Sequence, residues 1–244
     1  MKQTQFLVES NRPLTRDVFE LVLAGDTSEF SAPGQFAEIS VPGLFLRRPI
    51  SVCDWTASSM TLLVKVVGQG TAALGSMAQG ASLDILTGLG NGFECASRNG
   101  AVLVGGGIGI APLYGLAKRL VAQGAAAPVA ILGFRSAADV FYADEFAALG
   151  CDVRIATEDG SFGTKGFVTD AMTALPEPVY AYACGPMPML RAVAARVADG
   201  EFSLEARMGC GFGACMGCTI ETPSGPRRVC VDGPVFRLRD VPRL

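Results

Sequence analysis

Over residues 1–98, apolar positions gather in short runs rich in Val, Ile, Leu and Phe, at Gln3–Glu9, Val18–Leu23, Gln35–Val41, Met60–Val67 and Ser82–Thr87. Proline and glycine punctuate them, in APG at 32–34, VPG at 41–43 and TGLGNG at 87–92. Short strands at near-regular spacing predict a small antiparallel barrel or sandwich. One short helix, around Thr71–Ala78, interrupts the strands.

From residue 99 the pattern changes period. Ala101–Gly105 reads as a buried strand entering a glycine turn, followed by a helix over Pro112–Gln123. Strands at Val129–Phe134, Val153–Ala156 and Val179–Cys184 then alternate with helices near Tyr142–Leu149, Phe167–Leu175 and Pro188–Asp199. Such alternation predicts a parallel sheet with helices on its faces, over 99–200, whose ligands bind beyond the carboxyl ends of the strands. Residues 201–244 differ again: they are loop-like, rich in cysteine and glycine, and too short for an apolar core of their own. A piece of that size needs a metal or a disulfide to hold its shape. The expected fold is α+β and multi-domain: an N-terminal antiparallel β-barrel, an α/β parallel-sheet nucleotide-binding domain and a small cysteine-rich module.

Composition narrows the chemistry. The 244 residues are half apolar and 18% charged, which is globular rather than disordered. Net charge is −3 with no basic stripe, so a nucleic-acid partner is not expected. The uncharged stretch Ala101–Ala117 falls short of a membrane span and carries five glycines and a proline, so no membrane role is expected either. The polar start, MKQTQFLVES, lacks the apolar core of a signal peptide, and the expected compartment is the reducing cytoplasm. There, eight cysteines suit ligands or core positions better than disulfides. The chain has no histidine, which excludes a histidine base, a histidine triad and a histidine-ligated metal.

Four of the cysteines, Cys210, Cys215, Cys218 and Cys230, follow C-x4-C-x2-C-x11-C spacing. Plant-type [2Fe–2S] sites share the C-x4-C-x2-C…C form. Gly209, Gly211, Gly213, Ala214 and Gly217 let the backbone fold tightly, so that N–H groups reach sulfides and thiolates. Structural zinc usually takes paired C-x2-C knuckles, of which there is one here, and disulfides are disfavoured by the compartment. The spacing favours the cluster.

Two further motifs sit at strand ends. VLVGGGIGIAPL at 102–113 offers Gly105, Gly106, Gly107 and Gly109, with Pro112 in the helix start, as contacts for a dinucleotide pyrophosphate. It departs from G-x-G-x-x-G because the third glycine is missing, and a glycine turn without a ligand is the plain alternative. Cys184, Gly185, Pro186 and Met187 end one strand and open a helix, a place where a nicotinamide could lie; a buried core thiol explains Cys184 equally well. In LRRPISVCDW at 46–55, Arg47 and Arg48 precede a strand bearing Ser51, and Gly70-Thr71 begins a helix after another strand. An arginine fork beside a hydroxyl suits a diphosphate. Taken alone, that segment reads more simply as solvated arginines beside a turn.

The order of these motifs resembles the ferredoxin-reductase superfamily. More narrowly, it resembles the electron-transfer subunits of the NAD-dependent, two-subunit (B-type) dihydroorotate dehydrogenases. LRRPIS, VVGQGT, LGNGF, GGGIGIAPL, CGPMPML, SLEARMGCGFGACMGC and VCVDGPVF carry the likeness across essentially the whole chain. The resemblance implies that Arg48, Pro49, Ile50, Ser51, Gly70 and Thr71 hold FAD, with Leu63, Val64 and Lys65 along the same flavin. The wider superfamily more often has an aromatic residue where Ile50 stands. It further implies NAD at the glycine and cysteine motifs, and a separate FMN-containing catalytic subunit in a heterotetramer of two copies of each chain. Electrons would pass from that FMN through the [2Fe–2S] cluster and FAD to NAD⁺, in pyrimidine biosynthesis. NAD exchanges two electrons together, a [2Fe–2S] cluster one at a time, and a flavin does both, so FAD must stand between them. The missing histidines agree, because the base for carbon-acid deprotonation would sit on the partner.

Two alternatives remain at this level: a related NAD(P)H reductase subunit serving ferredoxin, sulfide or sulfite, and a zinc-stabilised nucleotide-binding regulator without redox chemistry. Arg135 and Ser136, after the strand Val129–Phe134, read either as solvated surface or as partners of a 2′-phosphate.

Overall fold

The computed structural model describes residues 1–95, 101–173, 175 and 179–241, so the expected boundary at 98/99 lies outside the described residues. The first segment is a closed six-stranded barrel of β1 (Lys2–Pro13), β2 (Val18–Ala24), β3 (Phe36–Ile39), β4 (Arg48–Trp55), β5 (Ser59–Lys65) and β6 (Ser82–Leu89). All neighbours pair antiparallel in the order β1-β2-β5-β4-β3-β6, and β6 returns to β1. Alternation along the strands sends Phe6, Leu21, Leu23, Ala37, Ile39, Leu62 and Ile85 inward to a common core. Complete burial of one such large apolar side chain is worth about 1.5–3 kcal/mol. A short helix, α1 (Gln69–Gly75), follows β5.

The second segment opens with β7 (Ala101–Gly106), a single 3-10 turn at Gly107–Gly109, and α2 (Ile110–Ala122). There follow β8 (Val129–Phe134), α3 (Ala143–Ala148), β9 (Asp152–Thr157), β10 (Thr164–Lys165), α4 (Val168–Ala171), β11 (Tyr180–Cys184) and α5 (Met187–Ala194). The expected helices at 167–175 and 188–199 are thus shorter. Asp199–Ser203 is instead a strand, β12, which finds a free sheet edge beside β11 and buries Phe202 there.

The tail is less loop-like than its composition suggests. A hairpin of β13 (Thr219–Thr222) and β14 (Gly225–Arg228) leads to α6 (Val229–Asp232) and β15 (Val235–Arg237). β15 pairs antiparallel with β12, completing a seven-stranded sheet of order β10-β9-β8-β7-β11-β12-β15. Too small for its own core, the tail shares one with the sheet: Cys218, Val229, Cys230 and Phe236 pack with Phe202, Leu204 and, from the barrel, Phe36 and Leu89.

The strand order places the ligand sites. The chain steps from β7 to β8, β9 and β10 on one side, then returns to β11 on the other side of β7. The carboxyl ends of β7 and β11 therefore flank a switch point, where loops diverge and leave a crevice. Helix α2 packs between sheet and barrel. It comes so close to β4 that a Cβ at Gly115 would lie 2.5 Å from the carbonyl oxygen of Cys53. Lys118 pairs with Asp54, Arg119 lies 5.3 Å over the Trp55 ring, and Tyr142 donates to Glu20 at 2.7 Å across the same seam. No described helix is long and apolar enough to cross a membrane.

Candidate functional site

The nucleotide crevice is built by backbone rather than by charged side chains. β7 and β11 run in register with Gly105 opposite Cys184, so the two glycine-bearing loops leave the sheet side by side. They border a cavity of about 570 Å³, in the range of sites for small molecules and cofactors. Gly106, Gly107, Gly109, Gly185 and Pro186 line it. Gly107 has φ of +53° with no atom within 4 Å of a would-be Cβ, leaving its backbone open to an incoming group. Gly105, Pro112, Cys184 and Met187 do not line the cavity. Cys184 is buried with its thiol pushed up to about 12 by that burial, as expected for a core cysteine.

Several wall residues escaped the motif reading. Thr15, Asp17 and Lys65 enter from the barrel, with Lys65 paired to Asp17 at 3.3 Å. Glu158 comes from the turn after β9, Phe167 from the position just before α4, and Glu205 from the segment after β12. No local motif marks Thr15 or Asp17, and Lys65, expected along the flavin, stands on this wall instead; only the seam between barrel and sheet brings them here. Arg135 lines the same wall, but Ser136 is committed elsewhere: its N–H and hydroxyl both donate to the Asp139 carboxylate, at 3.1 and 2.8 Å.

The two segments assigned to FAD come together on the barrel. Arg48, Pro49, Ile50 and Ser51 open β4, and Gly70 and Thr71 start α1. The Arg48 guanidinium lies over this turn, where a Cβ at Gly70 would be 2.7 Å from its Cζ. Thr71 accepts hydrogen bonds from the N–H groups of Val67 at 2.9 Å and Gly68 at 3.2 Å, which fixes the turn. Leu63 and Val64 are buried in the packing cores, leaving Lys65 as the side chain of that stretch that reaches an opening. Phe45, Leu46, Val66 and Val67 stand exposed on the two loops beside Arg48 and the turn. A cation, a turn left open at Gly68, where no atom lies within 4 Å of a would-be Cβ, and an exposed apolar rim fit a flavin dinucleotide.

The cysteines occupy a tight turn at 209–218 and the start of α6. Gly211 and Gly213 have φ of +76° and +91°, and Met216 takes a left-handed +60°. This curls N–H groups onto sulfur. Cys215 donates to Sγ of Cys210 at 3.4 Å, Gly217 to Sγ of Cys215 at 3.5 Å, and Cys230 to Sγ of Cys218 at 3.4 Å. Burial opposes ionisation of Cys210, yet the N–H groups of Cys215, Phe212 and Ala214 outweigh it and hold the thiol below its ordinary value. Burial and the adjacent Cys218 thiol push Cys230 up. The thiols thus stand as two pairs, Cys210 with Cys215 and Cys218 with Cys230. Among the described residues, no three His, Cys, Asp or Glu side chains gather around a single ion position. Two thiol pairs, ringed by N–H donors, fit a group with two irons and bridging sulfides.

Against the turn lies an acid that strand alternation alone places on the solvent side. Glu38 of β3 points away from the barrel core, but the cysteine turn covers it and leaves it 0% exposed. Burial pushes its carboxyl up to about 7, against the pull of Arg47. Neither carboxyl oxygen has a hydrogen-bond partner among the described residues.

Comparison with known proteins agrees with this geometry. Residues 205–242 match the iron-sulfur cluster binding domain of dihydroorotate dehydrogenase B, and residues 103–195 the oxidoreductase NAD-binding domain. The chain is 45% identical over 257 residues to the "dihydroorotate dehydrogenase B (NAD(+)), electron transfer subunit" of Geobacillus sp. (strain WCH70), with 99% of each chain covered. It is 43% identical over 258 residues to the protein of the same name from Bacillus mycoides (strain KBAB4), again with 99% of each covered. Among solved structures, a chain of the NADH-dependent reduced ferredoxin-NADP oxidoreductase superposes with a TM-score of 0.87 at 32% identity, over 97% of this chain and 89% of that one. Phthalate dioxygenase reductase shares the fold, with a TM-score of 0.66 at 18% identity over 91% and 87% of the two chains.

Proposed function

The chain belongs to the electron-transfer subunits of dihydroorotate dehydrogenase B, and from that membership we propose that it carries electrons from a catalytic partner to NAD⁺. The partner oxidises dihydroorotate at its own FMN, and two copies of each chain form the cytoplasmic assembly. Bound between a one-electron cluster and a two-electron nicotinamide, FAD supplies the exchange between single and paired electrons.

The residues of this chain bind and orient. Cys210, Cys215, Cys218 and Cys230 hold the cluster, and the N–H groups of the turn disperse its negative charge. Arg48 and the turn at Gly68–Thr71 take the flavin diphosphate, with Pro49, Ile50 and Ser51 beside the ring system. Gly106, Gly107 and Gly109 let a dinucleotide approach the sheet, and Gly185 and Pro186 close the crevice beside them. Phe212, Met216 and Val231 are exposed around the solvent-facing Cys215. An apolar rim at the one exposed cysteine of the four suits the docking face, since electrons must enter next to the irons.

The pairing of the four thiols within reach of backbone donors is the observation that carries this reading. The test is a purification of the chain with and without its catalytic partner. The chain alone should be brown-yellow, contain iron, sulfide and FAD, and oxidise NADH with artificial acceptors. Dihydroorotate-dependent reduction of NAD⁺ should appear only with the partner present. Robust dihydroorotate oxidation by the single chain, or a colourless zinc protein, would refute it. The likeness to the ferredoxin-NADP oxidoreductase supports a second reading, transfer to ferredoxin, at lower identity; reduction of ferredoxin but not of NAD⁺ by the assembly would favour it.

A further inference from the structure

The barrel meets the sheet along one face of two strands. Val18 and Glu20 stand two apart on β2 and point the same way, while Phe19 and Leu21 beside them fill the barrel core. Across the β2–β5 ladder, Val18 pairs with Lys65 and Glu20 with Leu63. Val18 and Lys65 line the nucleotide crevice, and Val18 and Leu63 share a core with α2, Phe141 and Tyr142. Glu20 therefore stands at the seam, one step along the strand from the crevice wall, with its side chain 15% exposed.

Tyr142 meets it from the sheet side. It follows Phe141, another crevice residue, and directly precedes α3. Its backbone is held in the left-handed region, at φ of +64°, which is costly for a bulky side chain and persists only where surrounding contacts fix it. The ring is buried edge-on to Tyr114, at 5.1 Å between centroids, and its hydroxyl donates to Glu20 Oε2 at 2.7 Å. The other carboxylate oxygen accepts from Arg12 Nε at 3.2 Å and Nη2 at 2.9 Å. A carboxylate held by a guanidinium on one oxygen and a phenol on the other is fixed in direction. A phenylalanine ring would fill the same space; the hydroxyl adds a directed tie between two walls of the crevice.

We propose that Tyr142 and Glu20 are positioning residues for hydride exchange, whose hydrogen bond clamps the barrel wall of the crevice to the sheet wall and so holds the two cofactor sites in register. The inference rests on the reading of the barrel as the FAD site and the crevice as the NAD site. Each wall then carries one reactant, and the seam sets how they meet. The exchange moves one hydride, a proton with two electrons, so the donor ring is oxidised as the acceptor ring is reduced and no further reactant is needed. Reacting atoms must come within about 3–3.5 Å, and a misplacement of about 1 Å can cost about a hundredfold in rate. Apolar contacts across the seam are non-directional and tolerate sliding, whereas a hydrogen bond to a fixed carboxylate does not.

Variants of the full chain, purified with cluster and FAD, test this: Tyr142→Phe, Glu20→Leu, the double variant of these two, and Glu20→Gln. Stopped flow reads the rate of flavin reduction at saturating NADH. Absorbance reads the long-wavelength charge-transfer band of the reduced chain with NAD⁺, which needs the two rings stacked. Calorimetry reads the dissociation constant of adenosine diphosphate ribose, which lacks the nicotinamide and probes the sheet wall. Tyr142→Phe and Glu20→Leu should each slow flavin reduction about tenfold and weaken the charge-transfer band, with the dissociation constant unchanged. The double variant should be no slower than either, because both changes remove one bond. Glu20→Gln keeps an oxygen to accept from the phenol and should match the unaltered protein. A Tyr142→Phe rate within about twofold of the unaltered protein would overturn the proposal. So would Glu20→Gln as slow as Glu20→Leu, a double variant slowed by the product of the single effects, or adenosine diphosphate ribose weakened in step with the rate. An unaltered chain that lacks FAD or leaves NADH untouched would instead sink the function proposed above, a result distinct from any of these.

Discussion

Asn91 joins the end of the barrel to the cysteine module, and its removal should loosen the module more than its exposed position suggests. Its side-chain N–H groups donate to the carbonyls of Asp232 at 3.1 Å and Val235 at 2.8 Å, and its oxygen accepts from the Val235 N–H at 2.9 Å. The backbone adds a fourth link, from Asn91 N–H to Gly233 O at 2.7 Å. Asn91→Ala removes the three side-chain bonds and leaves the main chain of the buried Val235 short of partners. At about 1 kcal/mol for each bond, with water recovering part of the exposed ones, the loss is about 2–3 kcal/mol. That is roughly 30- to 150-fold in the equilibrium for local opening. Cys230 lies just upstream of these contacts, so opening should also release the cluster faster. Hydrogen exchange over Val229–Arg237 in the cluster-loaded chain, together with the half-time of bleaching in a chelator, measures both effects. Asn91→Asp should not rescue: it keeps the acceptor for Val235 N–H but turns an anionic oxygen toward two carbonyls. Exchange in Asn91→Ala within about threefold of the unaltered protein, a difference below about 0.7 kcal/mol, would refute the argument.

Arg48→Ala should weaken FAD binding about tenfold or more, from the loss of charge-assisted hydrogen bonds, while iron and sulfide stay unchanged; flavin fluorescence titration measures it. Gly109→Ala places a methyl group 2.6 Å from the Cys184 carbonyl carbon, which should cost about 1–3 kcal/mol and raise KM for NADH with the flavin spectrum intact. Asp139 holds both donors of Ser136 and adds negative charge to the crevice wall, so Asp139→Ser should reduce the preference for NADH over NADPH roughly tenfold in kcat/KM. Burial raises the Glu201 carboxyl above its ordinary 4.5, so the folded chain keeps that proton to higher pH than the unfolded one. Its contribution is therefore present below 4.5 and is lost as pH rises through the raised value, and Glu201→Gln should flatten that slope in denaturation midpoints.

The periodicities and motifs carried much of this architecture, for reasons visible in particular residues. Alternation in β2 and β6 reports a half-buried strand because neighbouring side chains face opposite sides, and GGGIG after an apolar run reports a tight turn at a strand end. Errors fell where local pattern and tertiary partner disagree. The expected helix ran to Asp199 and the residues from 201 were expected to be loop-like, yet Asp199–Ser203 is a strand because β11 and β15 offer it ladders on both sides. Val235–Arg237 is too short to announce itself and becomes a strand only because β12 is there to pair with it.

The sequence by itself determined the donor set: four cysteines at cluster-ligand spacing among glycines, glycines at two strand ends, and an arginine before a hydroxyl-bearing strand. These are short-range facts, because ligand spacing and turn chemistry depend on residues near one another along the chain. Only the tertiary structure decided what surrounds them. Asp17 and Lys65 become walls of the nucleotide crevice because the barrel docks against the sheet. Glu38, which alternation alone would leave in water, becomes a buried acid behind Cys210 because residues 172 positions or more downstream fold over it. Burial is a property of two surfaces that meet, and no stretch of one strand encodes what will cover it.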